Sequence, residues 1–269
     1  MTLEFTKMNG AGNDFILLDG RTHPPGLTRE QVVRLCDRHR GVGADGVMVL
    51  LPCTSGRADW AWAFFNSDGS DASMCGNGAR CFARFVRRLT GLDRALSFET
   101  GAGVIHATYR GELVTIGLTA PKDWRLNLSV PLRSGTTTIH SVNTGVPHAV
   151  LFVPDADQAM VTEIGPEVRH HTVFAPKGTN VNFVQVLGAD GIRVRTFERG
   201  VEGETLACGT GVTASALVSA CVRGFQSPVA VRVQGGDTLE VGFVRQGDDF
   251  SQVTLTGPAD FAFEGRIQI

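Results

Sequence analysis

The amino-acid sequence predicts an α+β fold of two similar halves related by a pseudo-twofold axis, each half mostly strand around one central helix. Three observations predict it. A Cys-Gly-x-Gly segment occurs twice, at Cys75 and Cys208, 133 residues apart in a chain of 269. Several glycines recur at the same offset, and a helical pattern follows each cysteine while strand patterns dominate elsewhere. A repeat of this length indicates the duplication of a domain.

The first helical pattern is LTREQVVRLCDR, residues 27–38. Thr28 stands before it and Gln31 lies three positions later, which is the spacing of a capping box. Val32 and Leu35 give the segment an apolar face. We therefore expect a short amphipathic helix in the first half.

Strand patterns occur in both halves, where β-branched and aromatic residues lie between turn-forming residues. The clearest are ADWAWAFFN (58–66), LVTIGL (113–118), IRVRTFE (192–198), AVRVQ (230–234) and QVTLTG (252–257). The segment LTAPKDWRLNLSVP, residues 118–131, contains two prolines and is the expected boundary. We expect an N-terminal half of residues 1–120 and a C-terminal half of 121–260.

The segments after the two cysteines predict the central helices. After Cys75, apolar residues recur every three or four positions, four arginines (Arg80, Arg84, Arg87 and Arg88) lie elsewhere on the helical wheel, and Gly91 is the expected C-terminal stop. After Cys208 the segment is small or apolar on almost every side and ends at Gly224. That composition predicts a helix enclosed on most sides.

A cysteine at a helix start lies among unpaired backbone N–H groups at the positive end of the helix dipole. This position lowers the pKa of a thiol. The glycines that follow let a carboxylate approach the same N–H groups. Two such sites predict a cleft between the halves, with Cys75 and Cys208 on either side of one carbon, as a two-base proton transfer requires. The other four cysteines (Cys36, Cys53, Cys81 and Cys221) are interpreted as packed thiols.

Composition and charge exclude several classes of function. The net charge of -2 and the lack of a basic cluster argue against a nucleic-acid partner. No apolar run approaches the roughly 20 residues of a membrane span, and the N-terminal residues lack signal-peptide character, so a cytoplasmic location is expected. No CxxC pair is present, which argues against a structural zinc site, and free thiols are expected.

Two segments, NSDGSDASMCGNGARC (66–81) and FERGVEGETLACGTG (197–211), resemble the signature segments of the diaminopimelate epimerase family. Four more resemble its other motifs in the same order, across essentially the whole chain: KMNGAGNDF (7–15), DRHRGVGADG (37–46), NTGVPHAV (143–150) and GTNVNFVQ (178–185). The resemblance implies two α+β halves, each a curved and mostly antiparallel sheet or roll around a central helix. It also implies that a final strand, about residues 261–269, returns to the first half.

The same resemblance implies epimerisation of LL- to meso-2,6-diaminopimelate without a metal or any other cofactor. Cys75 and Cys208 would be the acid and base. The remaining implied site residues hold the substrate: the N–H groups of Gly76, Asn77, Gly209 and Thr210 bind the reacting α-carboxylate, Asn13 and Glu198 lie near the reacting amino group, and Asn66, Asn180 and Arg199 hold the distal end. A small amino acid is the expected partner, and a homodimer is an assembly that the resemblance allows.

Some positions depart from the family pattern or have a simpler interpretation. Gly46 and Val146 replace a Gln and an Asn that contact substrate in some members, so those contacts are not carried over. One extra residue near Glu202 and Gly203 leaves the local backbone open. The three asparagines (Asn13, Asn66 and Asn180) could be turn or strand-end residues, Glu198 and Arg199 a surface pair, and His148 a loop residue with a supporting role.

Three other functions remain open. A proline or hydroxyproline racemase uses a similar cysteine pair, but that family favours MCGHG and DRSPCGTG where this chain has Asn77 and ERGVEGETLACGTG. A cysteine hydrolase needs a histidine partner, and neither cysteine motif contains one. A non-enzymatic redox switch would pair Cys75 with Cys208 reversibly.

Overall fold

The computed structural model describes every residue of the chain, 1–269. The chain groups into two compact units: the first holds residues 1–117 and 257–269, and the second holds residues 118–256. Seventeen strands, four α-helices and one short 3-10 helix, Thr172–Phe174, make up the regular structure. The predicted α+β class is therefore confirmed.

The first unit contains eight strands and two helices. Its strands are β1 Thr2–Gly10, β2 Asn13–Asp19, β3 Gly46–Pro52, β4 Trp60–Asn66, β5 Leu96–Thr100, β6 Gly103–Arg110, β7 Leu113–Gly117 and β17 Asp260–Gln268, and its helices are α1 Arg29–Cys36 and α2 Gly76–Thr90. They pair in the order β17-β1-β2-β3-β4-β5-β6-β7. All pairs are antiparallel except β2–β3 and β4–β5.

The second unit contains nine strands and two helices. Its strands are β8 Lys122–Leu132, β9 Gly135–Asn143, β10 Pro147–Phe152, β11 Asn180–Val186, β12 Gly191–Glu198, β13 Gly203–Thr205, β14 Val229–Arg232, β15 Thr238–Gln246 and β16 Asp249–Gly257, and its helices are α3 Val161–Arg169 and α4 Gly209–Arg223. Leaving out the short β13, which pairs with β12, the order is β8-β9-β10-β11-β12-β14-β15-β16. Only β10–β11 and β12–β14 are parallel.

The two units therefore repeat one pattern of strand pairing. In each, the first two strand pairs of the order are antiparallel, and the third and fifth are parallel. A helix of 15 residues connects the strands of the second parallel pair, as α2 between β4 and β5 and as α4 between β12 and β14. The glycine and cysteine repeat of the sequence thus has a counterpart in topology.

The predicted helix signals have local counterparts. Thr28 and Gln31 form the capping box of α1. Gly91 and Gly224 end α2 and α4 with φ of 67° and 76°, the left-handed backbone that favours glycine. The central helix α2 packs against β1, β2 and β7, and α4 packs against β9, β10 and β11. None of the helices is both long and apolar enough to cross a bilayer.

One expectation for α2 is wrong. The helical wheel placed Arg80 away from the apolar face with the other arginines, but its side chain is 0% exposed. The guanidinium lies under the first turn of the helix, where backbone carbonyl groups surround it. The spacing of apolar residues does not predict a buried arginine, because its side chain is polar.

Candidate active site

The helix α2 begins at Cys75, which is its N-cap residue. The Cys75 backbone is extended, with φ of -145°, and its Sγ accepts a hydrogen bond from the Gly78 N–H at 3.5 Å. Gly76 and Asn77 follow as the first two helical residues, and the first turn contains no acidic side chain. Backbone N–H groups of a first helical turn have no partner within the helix and favour negative charge. The sulfur thus lies at a helix end that favours negative charge.

A hydrogen-bonded chain holds the side chain of Asn77. Arg80 Nη2 donates to Asn77 Oδ1 at 3.0 Å, and Asn77 Nδ2 donates to Asn13 Oδ1 at 2.7 Å. Asn13 Nδ2 in turn donates to Asp45 Oδ2 at 2.8 Å. Because Arg80 has only donors, the orientation of each amide along the chain follows from it. The structure therefore brings Asn13 to the helix start that bears Cys75.

The turn before β2 explains how Asn13 reaches this helix. Ala11 and Gly12 connect β1 to β2 with φ of 60° and 98°. Gly10 lies so close to α2 that an added Cβ would be 2.7 Å from the Asn77 carbonyl oxygen. Glycine at this position allows the hairpin to lie on the helix start.

A cluster of ion pairs, in which Lys7 is buried and Arg38 is exposed, supports the same hairpin. Lys7 Nζ lies 2.7 Å from Asp14 Oδ2, and Arg38 donates to both Asp14 oxygens at 2.8 and 2.9 Å. Arg38 also donates to Asp45 Oδ1 at 3.0 Å. Burial would raise the pKa of Asp14, but the hydrogen bonds from Arg38 and Lys7 outweigh it and lower that pKa. The cluster therefore keeps Asp14 ionised beside Asn13.

Asn66 is separate from this network within its unit. It lies exposed at the end of β4, where its Nδ2 donates to Ser70 Oγ at 3.0 Å. No hydrogen bond joins it to Asn13, Asn77 or Cys75. The local contacts of Asn66 are those of a turn residue.

In the second unit, Cys208 is the N-cap residue of α4 and is 8% exposed. Gly209 and Thr210 are the first two helical residues, in the same order as Gly76 and Asn77 in α2. The Cys208 Sγ lies 3.6 Å from Thr210 Oγ1. A second sulfur therefore lies at a second helix end that favours negative charge.

His148 lies under the start of α4. Its contact with the first helical turn is closer than the supporting loop role that the sequence suggested. Its Nε2 lies 2.9 Å from Thr210 Oγ1, and the ring is 0% exposed. Burial, with the positive charge of Arg199, lowers the pKa of His148 to about 3. The imidazole is therefore neutral at physiological pH.

Asn180, Glu198 and Arg199 lie together at the ends of the paired strands β11 and β12. The Arg199 N–H donates to Asn180 Oδ1 at 2.7 Å, and Asn180 Nδ2 donates to the Pro147 carbonyl at 3.3 Å. Glu198 Oε1 accepts from the Thr205 hydroxyl at 2.6 Å. These three predicted residues therefore form one polar group beside the strand that bears His148.

The extra residue near Glu202 is accommodated in a turn. Glu202 has φ of 55°, and its N–H donates to the Glu198 carbonyl at 2.8 Å. Its carboxylate accepts from the Gly200 N–H and from Arg169, both at 3.0 Å, and these hydrogen bonds lower its pKa. The insertion therefore leaves β12 and Glu198 in regular strand geometry.

The other cysteines differ from one another. Burial raises the pKa of Cys36 and of Cys81 to about 12, and it also raises that of Cys221, in agreement with the interpretation as packed thiols. That interpretation is wrong for Cys53, whose sulfur lies 3.3 Å from Ser55 Oγ and donates to Glu99 Oε2 at 3.4 Å. The hydrogen bond with Ser55 lowers the pKa of Cys53.

Sequence reasoning missed Arg80, Asp45 and Asn182, which orient the predicted site residues. The partners of Asp45 and Asn182 lie 32 and 34 positions away, so no local pattern marks these two residues. Arg80 is close to Asn77 in the chain, but the spacing of apolar residues does not predict that an arginine is buried. No group of three or more His, Cys, Asp or Glu side chains is arranged to hold a metal ion. The chemistry that the two helix starts offer is that of thiols, backbone N–H groups and neutral amides.

Comparison with known proteins assigns the family. The family model described as diaminopimelate epimerase matches residues 5–119 and 140–262. The protein named diaminopimelate epimerase in Aquifex aeolicus is 44% identical over 98% of both chains, and that of Chlorobaculum tepidum is 42% identical over 97% of this chain and all of its own.

Among solved structures, a phenazine biosynthesis protein from Bacillus anthracis has the same fold with a TM-score of 0.76 and 17% identity, covering 100% of both chains. A hydroxyproline epimerase from Agrobacterium vitis, with bound trans-4-hydroxy-L-proline, has a TM-score of 0.72 and 20% identity, covering 99% of this chain and 92% of its own. Both likenesses concern the fold. The family model and the sequence relatives show that the chain belongs to the diaminopimelate epimerase family.

Proposed function

We propose that this chain is an isomerase that converts LL-2,6-diaminopimelate to meso-diaminopimelate, an amino acid used in lysine and peptidoglycan biosynthesis. One observation carries the proposal: in each unit a central helix begins at a cysteine followed by Gly-x-Gly. The Aquifex aeolicus and Chlorobaculum tepidum relatives, both named diaminopimelate epimerase, match nearly the whole chain at 44% and 42% identity, which supports the substrate.

In the proposed reaction, Cys75 and Cys208 act as a two-base pair. The thiolate of one cysteine takes the α-proton, and the thiol of the other gives a proton to the opposite face of the same carbon. The number of protons on the two sulfurs is unchanged, but the charge moves from one sulfur to the other. No cofactor takes part, because the electron pair left at the α-carbon is delocalised into the carboxylate.

The α-proton of an amino acid is a very weak acid, so negative charge that develops on the carboxylate must be stabilised. The proposed donors are the first backbone N–H groups of the two helices, at Gly76, Asn77, Gly209 and Thr210. These groups are already oriented by the helices, so little reorganisation is needed when the charge develops. Burial of Cys208 and Asn77 supports a site from which water is excluded.

The remaining side chains are proposed to recognise the substrate. Glu198 is suited to an ammonium group, and Asn13 offers a neutral amide oxygen beside it. Arg199 is suited to bidentate binding of the distal carboxylate, and the asparagines Asn66 and Asn180 offer amides to the same end. The Arg199 N–H bond to Asn180 supports a shared role for these two residues.

A proline or hydroxyproline racemase with the same fold is the second candidate, and a thiol redox switch is the third. Asn77 and the segment ERGVEGETLACGTG favour diaminopimelate over proline. A direct comparison of LL-diaminopimelate with L-proline as substrates separates the first two. Catalysed inversion of either amino acid separates both from a redox switch.

Replacement of either cysteine tests the two-base assignment. We expect Cys75→Ala and Cys208→Ala each to lower kcat for LL-diaminopimelate by roughly 10²- to 10⁴-fold, because either change removes an acid or a base. Cys221→Ala, in the same helix as Cys208, is the matched control and retains wild-type kcat. Near wild-type turnover by Cys75→Ala or Cys208→Ala contradicts the assignment.

We also propose that the enzyme works in the cytoplasm. The proposed mechanism needs two reduced thiols, which suits a reducing compartment. We further propose a homodimer as its assembly. The molar mass in solution, measured by light scattering, tests the dimer.

A further inference from the structure

The helices α2 and α4, which begin at Cys75 and Cys208, pack against side chains of different polarity. A Cβ built on Gly78 in α2 would overlap the Met48 side chain and lie 3.4 Å from the Phe15 ring. A Cβ built on Gly211, at the same position of α4, would overlap Asn182 and lie 3.3 Å from the His148 ring. The pair beneath Cys75 is thus apolar, whereas the pair beneath Cys208 is polar.

The amide orientation of Asn182 is determined by a backbone carbonyl. Asn182 Nδ2 lies 2.9 Å from the Ala149 carbonyl oxygen, which can only accept a hydrogen bond. The nitrogen must therefore occupy this side of the amide. On the other side, Oδ1 accepts from the Thr196 hydroxyl at 3.0 Å. All these atoms are buried, so each needs its partner.

The same nitrogen determines the tautomer of His148. Asn182 Nδ2 lies 3.1 Å from His148 Nδ1 and has a second hydrogen to donate. Nδ1 must accept that hydrogen and so has no proton of its own, which puts the single proton of the neutral ring on Nε2. Nε2–H then donates to Thr210 Oγ1 at 2.9 Å.

The Thr210 hydroxyl completes the chain. Its oxygen accepts from His148, so its hydrogen can turn towards the Cys208 sulfur, 3.6 Å away. We infer that Asn182 is a positioning residue that keeps the proton of His148 on Nε2, so that the Thr210 hydroxyl donates to the Cys208 sulfur. The corresponding Met48 and Phe15 provide no such chain for Cys75, so the two thiols are not equivalent.

This inference deepens the proposed function, on which its catalytic meaning rests, but its first test does not depend on activity. Long-range ¹H–¹⁵N NMR of the full chain, labelled in histidine, distinguishes the two tautomers. The His148 signals are identified by their loss in His148→Phe. We expect a protonated Nε2 and an unprotonated Nδ1. A proton on Nδ1, or averaging between the two tautomers, overturns the inference.

A second test uses thiol reactivity. Asn182→Met introduces the residue that the first unit has at this place and removes the donor to His148. We expect mixed tautomers and a rate of alkylation by iodoacetamide that falls roughly three- to tenfold at Cys208 but not at Cys75, both measured by peptide mass spectrometry. An unchanged ratio of the two rates contradicts the inference.

Two controls accompany these measurements. Thr196→Val keeps the Ala149 carbonyl and the Asn182 nitrogen in place, so the tautomer is expected to remain on Nε2. Met48→Leu repacks the corresponding place beneath Cys75 and is expected to leave Cys208 reactivity unchanged. A wild-type chain that epimerises diaminopimelate with the proton on Nδ1 contradicts this inference alone. One with the expected tautomer and no epimerase activity contradicts the proposed function alone.

Discussion

Arg80 is a buried cation whose hydrogen bonds hold the start of α2. Besides Asn77, its guanidinium donates to three backbone carbonyls, those of Gly10, Gly76 and Pro258, at 3.2 to 3.4 Å. These carbonyls belong to β1, to α2 itself and to the segment before β17. One side chain therefore joins the elements around Cys75.

We expect Arg80→Met to lower the free energy of unfolding by about 3 kcal/mol, because it leaves several buried acceptors without a donor. Urea unfolding measures the change. Arg88→Met, on the same helix but about half exposed, is the control and should cost less than about 1 kcal/mol. Equal losses for the two variants would show that Arg80 has no such role.

His148 couples stability to pH. Its pKa is about 3 in the folded chain, against an ordinary value of 6.5. The unfolded chain therefore binds this proton first as the pH falls. The stability that the neutral ring contributes is fully present above pH 6.5 and is lost as the pH falls towards 3.

The consequence is measurable with His148→Phe, which introduces the residue found at the corresponding place in the first unit. Between pH 7 and pH 5 the free energy of unfolding of the wild type should fall by about 2 kcal/mol more than that of the variant. Parallel stability curves for the two proteins over this range would contradict the assignment of a depressed pKa to His148.

At the scale of elements, the two cysteine helices have the same glycine at their third position but unequal room for a side chain. The atom that a Cβ on Gly78 would meet is the terminal methyl of Met48, which can rotate away. The atom that a Cβ on Gly211 would meet is Oδ1 of Asn182, which the Thr196 hydroxyl holds. A side chain at Gly211 is therefore harder to accommodate than one at Gly78.

We expect Gly211→Ala to lower the free energy of unfolding by about 1–3 kcal/mol, whereas Gly78→Ala costs less than about 1 kcal/mol because alanine also favours the helix. Thermal or urea unfolding of both variants tests the difference. A larger cost for Gly78→Ala than for Gly211→Ala would reverse the order that the contacts predict.

Local signals predicted α1, α2 and α4, because a capping box and the glycines Gly91 and Gly224 act within a few residues of each helix end. They did not predict α3, whose N-cap makes no side-chain hydrogen bond and which contains Pro166. The polar chain beneath Cys208 was also beyond sequence reasoning, since it joins residues 34 and 62 positions apart. Such contacts arise from strand pairing, which periodicity does not specify.

At the scale of the whole molecule, the two units share one strand-pairing pattern but differ in the side chains beneath their cysteines. Both units have the same order of parallel and antiparallel pairs, and each contributes one helix that starts at a cysteine. The surroundings of the two thiols have diverged, with Phe15 and Met48 in one unit and His148 and Asn182 in the other. Under the proposed two-base reaction, the surroundings of each thiol can be adjusted independently of the other.

The central claim is that two thiols act on the α-carbon of diaminopimelate, and isotope incorporation in D2O tests it most directly. LL-diaminopimelate is incubated with the enzyme for an early fraction of turnover, and the separated stereoisomers are analysed by mass spectrometry, with L-proline as the control substrate. We predict one deuterium in the meso product, none in the remaining LL substrate and none in proline, because one thiol keeps the abstracted proton while the other delivers a solvent-derived deuteron. Equal deuterium in substrate and product would contradict the two-base account, and inversion of proline without diaminopimelate would contradict the substrate.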